Sequence, residues 1–475
     1  MPLAVLVSGC AVGPNYRAPD AAALAVPTAY APPVTLTQPG AASSRADLSQ
    51  WWAQFDDPLL TDLVARATAG NLQIAEAAAR LAQARESLVQ ARSDLLPSFT
   101  GSAGATRNFT HGSSSSLVVG GGSSGTTQLS LGLDASWQAD LFGGLRRSLE
   151  AARADEAATR FDLESIRTSV AGEVATNYIE VRLAQARLEI ARSTLRTQDD
   201  NLQIARWRVQ AGLVSSLDSE QARAQRAQTA ASIPALETAY LQAVNRLGVL
   251  TGQAPGALRA EMETVRPIPH VADAIAVGIP ADTLRKRPDV RSAERGLAAA
   301  TARIGVAKAS LFPALSISGN IDTNAARVGK LGDLLTGGLF AGLTQTIFDA
   351  GRLGSRVRFA RAGADLALAT YKRTVLSGLE DVENAIQSLE AAKARQAELG
   401  IALDGSSNAA IYARSQYRSG LIDFLTLLQS EQSLLSARDQ LASAQADQAL
   451  ALVQLYLALG GGWQADATEP TGHPA

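Results

Sequence analysis

The sequence predicts a mainly α-helical chain with a small β part, in which one order of elements occurs twice. Three observations predict this fold class. Sequence markers recur roughly 210 positions apart, apolar residues return every seven positions along a long proline-free segment, and four short segments alternate apolar and polar residues. Each half is therefore predicted to contain, in this order, a helix, two strands, a long helix, a turn and a returning helix.

The amino-acid composition argues against several classes of function. The 475 residues carry 43 basic and 45 acidic side chains, a net charge of -2, which gives no support for nucleic-acid binding. The single cysteine, Cys10, excludes a disulfide within one chain, and the three histidines are scattered. No run of 18 apolar residues occurs, so a transmembrane helix is not expected. We expect no metal and no cofactor.

The first residues resemble the end of a bacterial lipoprotein signal. Leu6 to Cys10 is an apolar stretch that ends in small residues before the cysteine, so cleavage would leave Cys10 as a lipidated N-terminus. Only nine residues precede Cys10, and none is Lys or Arg. The alternative is a stray cysteine in a frayed terminus. The segment up to residue 50 is rich in Pro, Ala, Ser and Thr, which is typical of an extended tether.

The duplication is visible in three pairs of markers. Pro97 and Pro313 are 216 positions apart, and Gly212 and Gly420 are 208 apart. Leu250-Thr251-Gly252 matches Leu459-Gly460-Gly461 at an offset of 209 positions. The extra residues of the first half are expected in the Ser/Gly-rich stretch 112–125, because loop tips tolerate insertion.

The strand pairs show a period of two. Leu129, Leu131, Leu133, Ala135 and Trp137 lie on one face of the clearest strand, and polar residues lie on the other. This is the alternation of a strand between lipid and water, although a small soluble β-subdomain would look the same. Four strands cannot close a barrel in one chain, and strand edges must be paired in lipid. Three copies would supply one shared twelve-stranded transmembrane β-barrel.

The long helices carry coiled-coil spacing. From Val174 to Val209 apolar residues recur at intervals of seven. Alanines occupy the second core position of many of these heptads. A helix of roughly 60 residues extends about 90 Å. Each long helix turns at Gly212 or Gly420 and returns, so three copies could wall a hollow α-barrel. An ordinary coiled-coil rod is the alternative, but the inserted strand pairs argue against it.

These observations divide the chain into ten segments, which follow the two repeats from end to end. They are 1–9, signal-peptide remnant; 10–50, lipid anchor and tether; 51–96, first helix of repeat 1; 97–142, its strand pair; 143–252, its helical hairpin; 253–282, equatorial linker; 283–312, first helix of repeat 2; 313–349, its strand pair; 350–461, its helical hairpin; and 462–475, C-terminal tail.

Short motifs along nearly the whole chain resemble the TolC-like outer-membrane efflux proteins, in particular the OprM/NodT-type lipoprotein branch. They are specific in their order. The motifs are Gly13-Pro14-Asn15-Tyr16, Trp51-Trp52, Asp140-Leu141-Phe142-Gly143-Gly144, Arg285-Lys286-Arg287-Pro288-Asp289-Val290-Arg291, Ile304-Gly305-Val306-Ala307-Lys308, Phe348-Asp349-Ala350-Gly351-Arg352 and Gly460-Gly461-Gly462-Trp463.

The resemblance implies a homotrimer in the bacterial outer membrane, anchored by lipid, with a long periplasmic tunnel of twelve helices. It also implies two protein partners, a periplasmic adaptor and an RND-type inner-membrane transporter. The expected function is the exit duct of a tripartite efflux pump, which conducts small molecules passively. The alternatives are a periplasmic coiled-coil structural lipoprotein and the exit duct of an ABC-type protein secretion system.

The resemblance also implies a periplasmic gate in the second hairpin. Tyr417 and Gly420 match the family's gate tyrosine and glycine, while Thr426 and Gln429 fall where TolC has its aspartate rings. Neither of these two is acidic, so Asp423 could substitute; a helix-start role for Asp423 is the simpler interpretation. Tyr417 also occupies a heptad position, which is compatible with a gate role.

The hairpin turns are the expected docking site for the adaptor. The residues are Gly212, Leu213, Asp218, Gly420 and Leu421. The glycines are first of all backbone turns, and Asp218 is first of all a helix-start residue. No P-loop, zinc spacing, Ser/His/Asp order or dinucleotide motif occurs in the sequence, so no catalytic residue and no enzymatic activity are expected.

Overall fold

A computed structural model of the chain describes residues 11–24, 26–27, 48–108, 126–270 and 284–463. These residues fall into two compact units. One unit lies within Met1–Ala18, Leu81–Thr159 and Ala293–Tyr371. The other lies within Pro19–Arg80, Arg160–Ser292 and Lys372–Ala475. The predicted lipid-anchor residue Cys10 and the predicted insertion 112–125 lie outside the described residues.

The α-helices and strands follow one another in the order that the sequence predicts for each half. Those of the first repeat are α1 (Pro58–Gly70), α2 (Leu72–Ser93), β1 (Ser98–Asn108), β2 (Thr126–Ala139), α3 (Gly144–Gln210) and α4 (Ser216–Leu250). A short helix, α5 (Arg259–Met262), follows. Those of the second repeat are α6 (Pro288–Ala309), β3 (Ala314–Ala325), β4 (Leu335–Thr344), α7 (Arg352–Arg418) and α8 (Phe424–Ala458).

The two helical hairpins are equal in length. Helices α3 and α7 each have 67 residues, and α4 and α8 each have 35. The mainly helical fold with a small β part and an internal repeat is thereby confirmed. No helix in the described part of the chain combines the length and the apolar character needed to cross a membrane.

The four strands form one antiparallel sheet in the order β1-β2-β3-β4. The two strand pairs are joined in the middle, where β2 pairs with β3 and Leu133 lies opposite Ile321. Leu131 and Leu133 are about half exposed, and Leu339 of β4 is 84% exposed. All four strands thus expose apolar side chains, since Phe99 of β1 and Ile321 of β3 are also at least half exposed. β4 spans Leu335–Thr344, whereas the imperfect alternation in the sequence predicts this strand over 339–348.

The first helix of repeat 1 is divided. Within the segment 51–96 the apolar spacing predicts one uninterrupted helix over 56–95, whereas Asn71 separates α1 from α2. The Asn71 side chain accepts hydrogen bonds from the backbone of Gln73 and Ile74 at 2.8 and 3.2 Å and donates one to the Leu250 carbonyl at 2.9 Å. An asparagine that caps a new helix in this way stops the previous one.

The core of the second unit includes an aromatic stack near both ends of the chain. The Trp51 side chain is fully buried and stacks on Tyr456 of α8, with 5.5 Å between ring centroids. The fully buried Arg182 of α3 donates hydrogen bonds to the Tyr178 hydroxyl and to the Thr264 carbonyl. These contacts tie the segment before α1 to α8, and the segment after α5 to the middle of α3.

The start of the expected tether is packed in the first unit. The Arg147 guanidinium donates a hydrogen bond to the Asn15 side chain at 2.6 Å, and the Val12 amide donates one to the Phe142 carbonyl at 3.1 Å. Gly13 lies against Gly305, where a Cβ atom would come within 2.6 Å of the Gly305 Cα. The chain is therefore held to the fold directly after residue 10.

Candidate functional site at the helical hairpin turns

Each long helix ends in the same backbone turn. Gly212 and Gly420 have φ angles of +70° and +73°, and each closes the same pair of hydrogen bonds to the preceding turn. The Gly212 amide bonds to the Val209 carbonyl and the Leu213 amide to the Arg208 carbonyl, both at 2.9 Å. This is a Schellman cap, which favours glycine because a side chain is disfavoured at positive φ.

The returning helices begin with equivalent capping residues. The Ser215 hydroxyl accepts a hydrogen bond from the Leu217 amide at 3.2 Å, and the Asp423 carboxylate accepts one from the Thr426 amide at 2.8 Å. This hydrogen bonding to Thr426 lowers the pKa of Asp423. Asp423 is thus an N-cap of α8, as the helix-start interpretation states. Asp218 lies in the first turn of α4.

Four leucines are exposed at the two turns, at matching positions of the repeat. The exposed fractions are 69% for Leu213, 59% for Leu217, 75% for Leu421 and 48% for Leu425. These four side chains therefore lie outside the packed core of the hairpins.

A buried apolar cluster lies beside the exposed turns. Tyr417 is 2% exposed, and its ring meets Phe424 edge-on at 5.6 Å between centroids. The cluster contains Leu202, Ala205, Ala222, Ala413, Tyr417, Phe424 and Leu427. Because it draws side chains from α3, α4, α7 and α8, the cluster packs the end of one hairpin against the end of the other.

Arg208 joins the hairpins above the Tyr417 ring. Its guanidinium carbon lies 4.6 Å from the ring centroid, and its Nη1 donates a hydrogen bond to the Tyr417 backbone carbonyl at 3.0 Å. Burial raises the pKa of the Tyr417 hydroxyl, and the charge of Arg208 acts in the opposite direction. The hydroxyl oxygen is buried and has no hydrogen-bond partner among the described residues. The ring therefore makes the packing contacts of Tyr417, and the Arg208 guanidinium is the charged group next to its hydroxyl.

The other two predicted gate residues lie apart from Tyr417. Thr426 and Gln429 are exposed side chains on α8, and their backbone carbonyls accept hydrogen bonds from the hydroxyls of Ser430 and Ser433 at 2.9 Å. The structure thus brings Tyr417 into the cluster, places Asp423 at the start of α8, and leaves Thr426 and Gln429 on the open face of that helix.

Sequence reasoning missed a buried acid in the next turn. Glu431 is 7% exposed and accepts hydrogen bonds from Asn201 Nδ2 at 2.7 Å and from Arg414 Nε at 2.9 Å. It therefore contacts both α3 and α7. A glutamate in a helix normally indicates a solvated face, and the only signal here is its spacing of four from Leu427, which places it on the buried side. No cluster of metal-binding side chains occurs in the part of the chain that the structure describes.

Comparisons with known proteins agree with this architecture. A family model described as outer membrane efflux protein matches residues 63–253 and 279–461, that is, both repeats. The pyoverdine export outer membrane protein OpmQ of Pseudomonas putida is 32% identical over 92% of this chain and 93% of its own length. The toluene efflux pump outer membrane protein TtgF of Pseudomonas putida is 31% identical, covering 98% of this chain and 97% of its own length.

Solved structures show the same fold. The outer-membrane channel OprN is 36% identical and superposes with a TM-score of 0.85 over 96% of this chain and all of its own. The open-state structure of the Neisseria gonorrhoeae MtrE outer membrane channel is 26% identical, with a TM-score of 0.82 over 95% of this chain and 98% of its own.

Proposed function

Because this chain belongs to the outer membrane efflux protein family, we propose that three copies of it form the exit duct of a tripartite efflux pump. The chain is an outer-membrane efflux channel of the TolC-like fold. The match of the family model across both repeats carries this conclusion, because the strand pairs and the hairpins are both included in it. The proposal extends the family assignment to the assembly, its partners and its gate.

The open edges of the sheet support the trimer. In the described sheet, β1 and β4 are the outer strands, and each is paired on one side only. Unpaired strand edges are not tolerated in hydrocarbon, so β4 of one copy must pair with β1 of another until the barrel closes. Three copies supply twelve strands, an even number within the range of membrane barrels.

The hairpin turns support docking of a periplasmic adaptor. Leu213 and Leu421 project there with 69% and 75% of their surface exposed, and each stands beside a glycine turn of fixed geometry. A partner with complementary apolar residues would bury both. An RND-type inner-membrane transporter would then supply the energy, and the duct would conduct its cargo passively without catalysis of its own.

Lipidation of Cys10 would anchor each copy from the periplasmic side. The support is the packing of Val12 and Asn15 directly after it, which leaves little slack between the anchor and the strands.

The gate would lie at the apolar cluster around Tyr417. In this arrangement three copies of the cluster stand around the threefold axis, and separation of the hairpins opens the passage. The neutral Thr426 and Gln429 would make the neighbouring ring less sensitive to pH than a ring of carboxylates.

The proposal is tested by extraction of the full-length protein from outer membranes in mild detergent. We expect a trimer by light scattering, a barrel whose gel mobility changes on heating, and ion conductance in planar bilayers. A coiled-coil structural lipoprotein would give neither the heat-modifiable barrel nor conductance. A monomer without conductance would overturn the exit-duct proposal.

A further inference from the structure

We propose that three exposed arginines near the start of α7 bind the anionic phospholipid headgroups of the periplasmic leaflet of the outer membrane. We call Arg356, Arg358 and Arg361 the collar arginines. The proposal goes beyond the exit duct. It requires only that the sheet enters the outer membrane, and it concerns the lipid around the chain rather than the passage through it.

The segment between the sheet and α7 marks the boundary of the membrane. β4 ends at Thr344 and α7 begins at Arg352. Between them, Ile347 and Phe348 are 97% and 87% exposed. Exposed aromatic and apolar side chains at the end of a transmembrane strand typically lie at the edge of the hydrocarbon. The first turns of α7 therefore come directly after the membrane boundary.

The collar arginines lie close to the depth of the headgroups. The Cα atoms of Arg356 and Arg361 are about 6 and 14 Å from the start of α7, at 1.5 Å per residue. The headgroup layer is about 5–7 Å thick on each side of a bilayer, and its field extends about 8 Å further at physiological ionic strength. Long side chains on a helix also lean toward its N-terminus, which is here the end joined to the sheet. All three guanidinium groups are therefore within the headgroup layer or its field.

The collar arginines are available to an external anion. All three residues are exposed, and none makes a hydrogen bond or an ion pair with another described residue. The Asp349 carboxylate already caps α7, because it accepts hydrogen bonds from the Gly351 and Leu353 amides at 2.9 and 2.7 Å. The attraction would therefore come from the guanidinium groups and not from the end of the helix.

The matching part of repeat 1 has a different charge. Helices α3 and α7 have equal length and begin 208 positions apart, so residues 352–366 match residues 144–158. The α7 segment has four arginines and one acid, Asp365, whereas the α3 segment has three arginines and three acids. In the α3 segment, Arg147 pairs with Glu150 at 2.7 Å. The excess of positive charge is therefore confined to repeat 2.

Repeat 1 also shows which positions stay exposed when a long helix is covered. In the described chain α3 packs against α6, and Arg303 of α6 forms an ion pair with α3 at 2.5 Å. Even so, the Glu150 side chain is 43% exposed and Arg153 is exposed. These two residues match Arg358 and Arg361. A second copy that covered α7 in the same way would therefore leave both arginines exposed.

A phospholipid fits both parts of this surface. A guanidinium binds a phosphate through two parallel hydrogen bonds. Each arginine near an anionic leaflet also favours binding by about fivefold. The exposed Ile347 and Phe348 are the apolar side chains that the acyl chains beside such a headgroup would contact. Charge and position thus favour an anionic phospholipid as the occupant.

The test measures which lipid the purified full-length protein retains in detergent. The protein is delipidated, equilibrated with micelles that contain equal amounts of phosphatidylglycerol and phosphatidylcholine, and purified again. Mass spectrometry then quantifies the bound lipids. We expect the unaltered protein to retain severalfold more phosphatidylglycerol than phosphatidylcholine. R356Q/R358Q/R361Q should lower this ratio by about fivefold or more, since three favourable charges are lost.

The matched control removes the same charge from the second unit. Arg206, Arg373 and Arg418 are exposed there, and none has a hydrogen bond or ion pair within the described part of the chain. R206Q/R373Q/R418Q should keep the lipid ratio of the unaltered protein. Circular dichroism of every variant verifies that the fold is retained. Equal ratios in the unaltered protein and the collar glutamine variant, or an equal fall in the control, would overturn the proposal.

A variant with lysine at all three collar positions separates charge from side-chain shape. Lysine keeps the positive charge, so this variant should retain at least about half of the lipid ratio. A lysine variant as depleted in phosphatidylglycerol as the glutamine variant would contradict an electrostatic lipid-binding surface.

Two further outcomes would assign the arginines to another occupant and overturn lipid binding. If inorganic phosphate displaces phosphatidylglycerol at constant ionic strength, the arginines form a phosphate site. If the glutamine variant dissociates into monomers and keeps its lipid ratio, the arginines bind an acid of a second copy. Conductance is a separate readout: a protein that retains phosphatidylglycerol but conducts no ions would contradict the exit duct and leave lipid binding supported.

Discussion

Gly70 and Gly252 are in backbone contact: a Cβ atom on Gly252 would lie 2.1 Å from the Gly70 carbonyl oxygen. The contact joins the end of α1 to the turn after α4. Gly252 has φ +73°, nearly the angle of Gly212 in the turn between α3 and α4. The two glycines thus share a conformation and differ in their surroundings, since a Cβ on Gly212 would meet nothing within 4 Å.

This difference predicts unequal costs for the same substitution. Gly212→Ala should lower the free energy of unfolding by about 1 kcal/mol, the penalty of a left-handed alanine. Gly252→Ala should cost a further ~1–3 kcal/mol, because the Gly70 backbone must move. Thermal unfolding of the two variants in one detergent, followed by circular dichroism, measures the difference. Equal midpoints would contradict the contact.

Substitutions of Tyr417 can separate the contribution of its ring to channel closure from that of its hydroxyl. Tyr417→Phe should conduct like the unaltered channel, because the buried hydroxyl has no hydrogen-bond partner among the described residues. Tyr417→Ala removes the ring from the cluster, which should cost ~3–5 kcal/mol of packing and increase the open time. Single-channel recording of both variants distinguishes them. An open channel in Y417F would show that the hydroxyl has a partner in the assembled trimer.

Asp423 should contribute to the turn through its capping hydrogen bond. Because that bond lowers the pKa of Asp423 below its ordinary value of 3.8, its contribution is present at neutral pH and is lost as the pH falls through the lowered value. Asp423→Ala should speed amide hydrogen exchange at Phe424–Thr426, while Asp423→Asn keeps an acceptor and should exchange nearly as slowly as the unaltered protein. Equal exchange in all three proteins would contradict the cap.

Ala350 has φ +54° in the turn before α7. Ala350→Gly should raise the free energy of unfolding by ~0.5–1 kcal/mol, since relief of the left-handed alanine exceeds the added flexibility of glycine. Asp56, with φ +48°, is the control, because aspartate tolerates this region and Asp56→Gly should give no gain. Denaturant unfolding of the two variants measures these free energies. A gain in stability for Asp56→Gly but not for Ala350→Gly would contradict the prediction.

The two faces of β2 should respond differently to charge. Leu133→Arg places a charge on the face predicted to meet lipid, at a cost of ~2–4 kcal/mol at mid-membrane, and should reduce the trimer recovered from outer membranes. Asp134→Arg places it on the opposite face and should be tolerated. Quantitative immunoblotting of heated and unheated membranes measures both. Equal recovery of the two variants would remove the support for a membrane barrel.

The fold was largely predictable from the sequence because its signals are periodic. The seven-residue spacing along α3 reports burial on one side of a helix, and the alternation along β2 reports a strand with one apolar and one polar face. The duplication repeats the order of these elements in the second half of the chain. The division at Asn71 was missed because its apolar spacing continues across the cap. The bounds of β4 were misplaced because Gly337, Gly338 and Gly342 carry no side chain that could mark a face.

The candidate site was less predictable. The turns at Gly212 and Gly420 were predictable, since a glycine at the end of a long heptad pattern commonly caps the C-terminus of a helix. Glu431 was not, because a burial pattern along one helix does not show which other helices lie against it. Arg208 was missed for the same reason, although it contacts the ring of Tyr417. Contacts between the hairpins depend on how distant helices pack together, and the residue pattern of one helix does not show which helices lie against it.

The equal lengths of α3 and α7, and of α4 and α8, restrict how this protein can change. Deleting one heptad from both arms of a single hairpin would draw its turn back by about 10 Å relative to the other, at 1.5 Å per residue. In the proposed trimer, an adaptor would then meet three recessed turns and three projecting ones. Evolution of a longer or shorter duct would therefore require matched insertions or deletions in both arms of both hairpins, that is, in both halves of the gene.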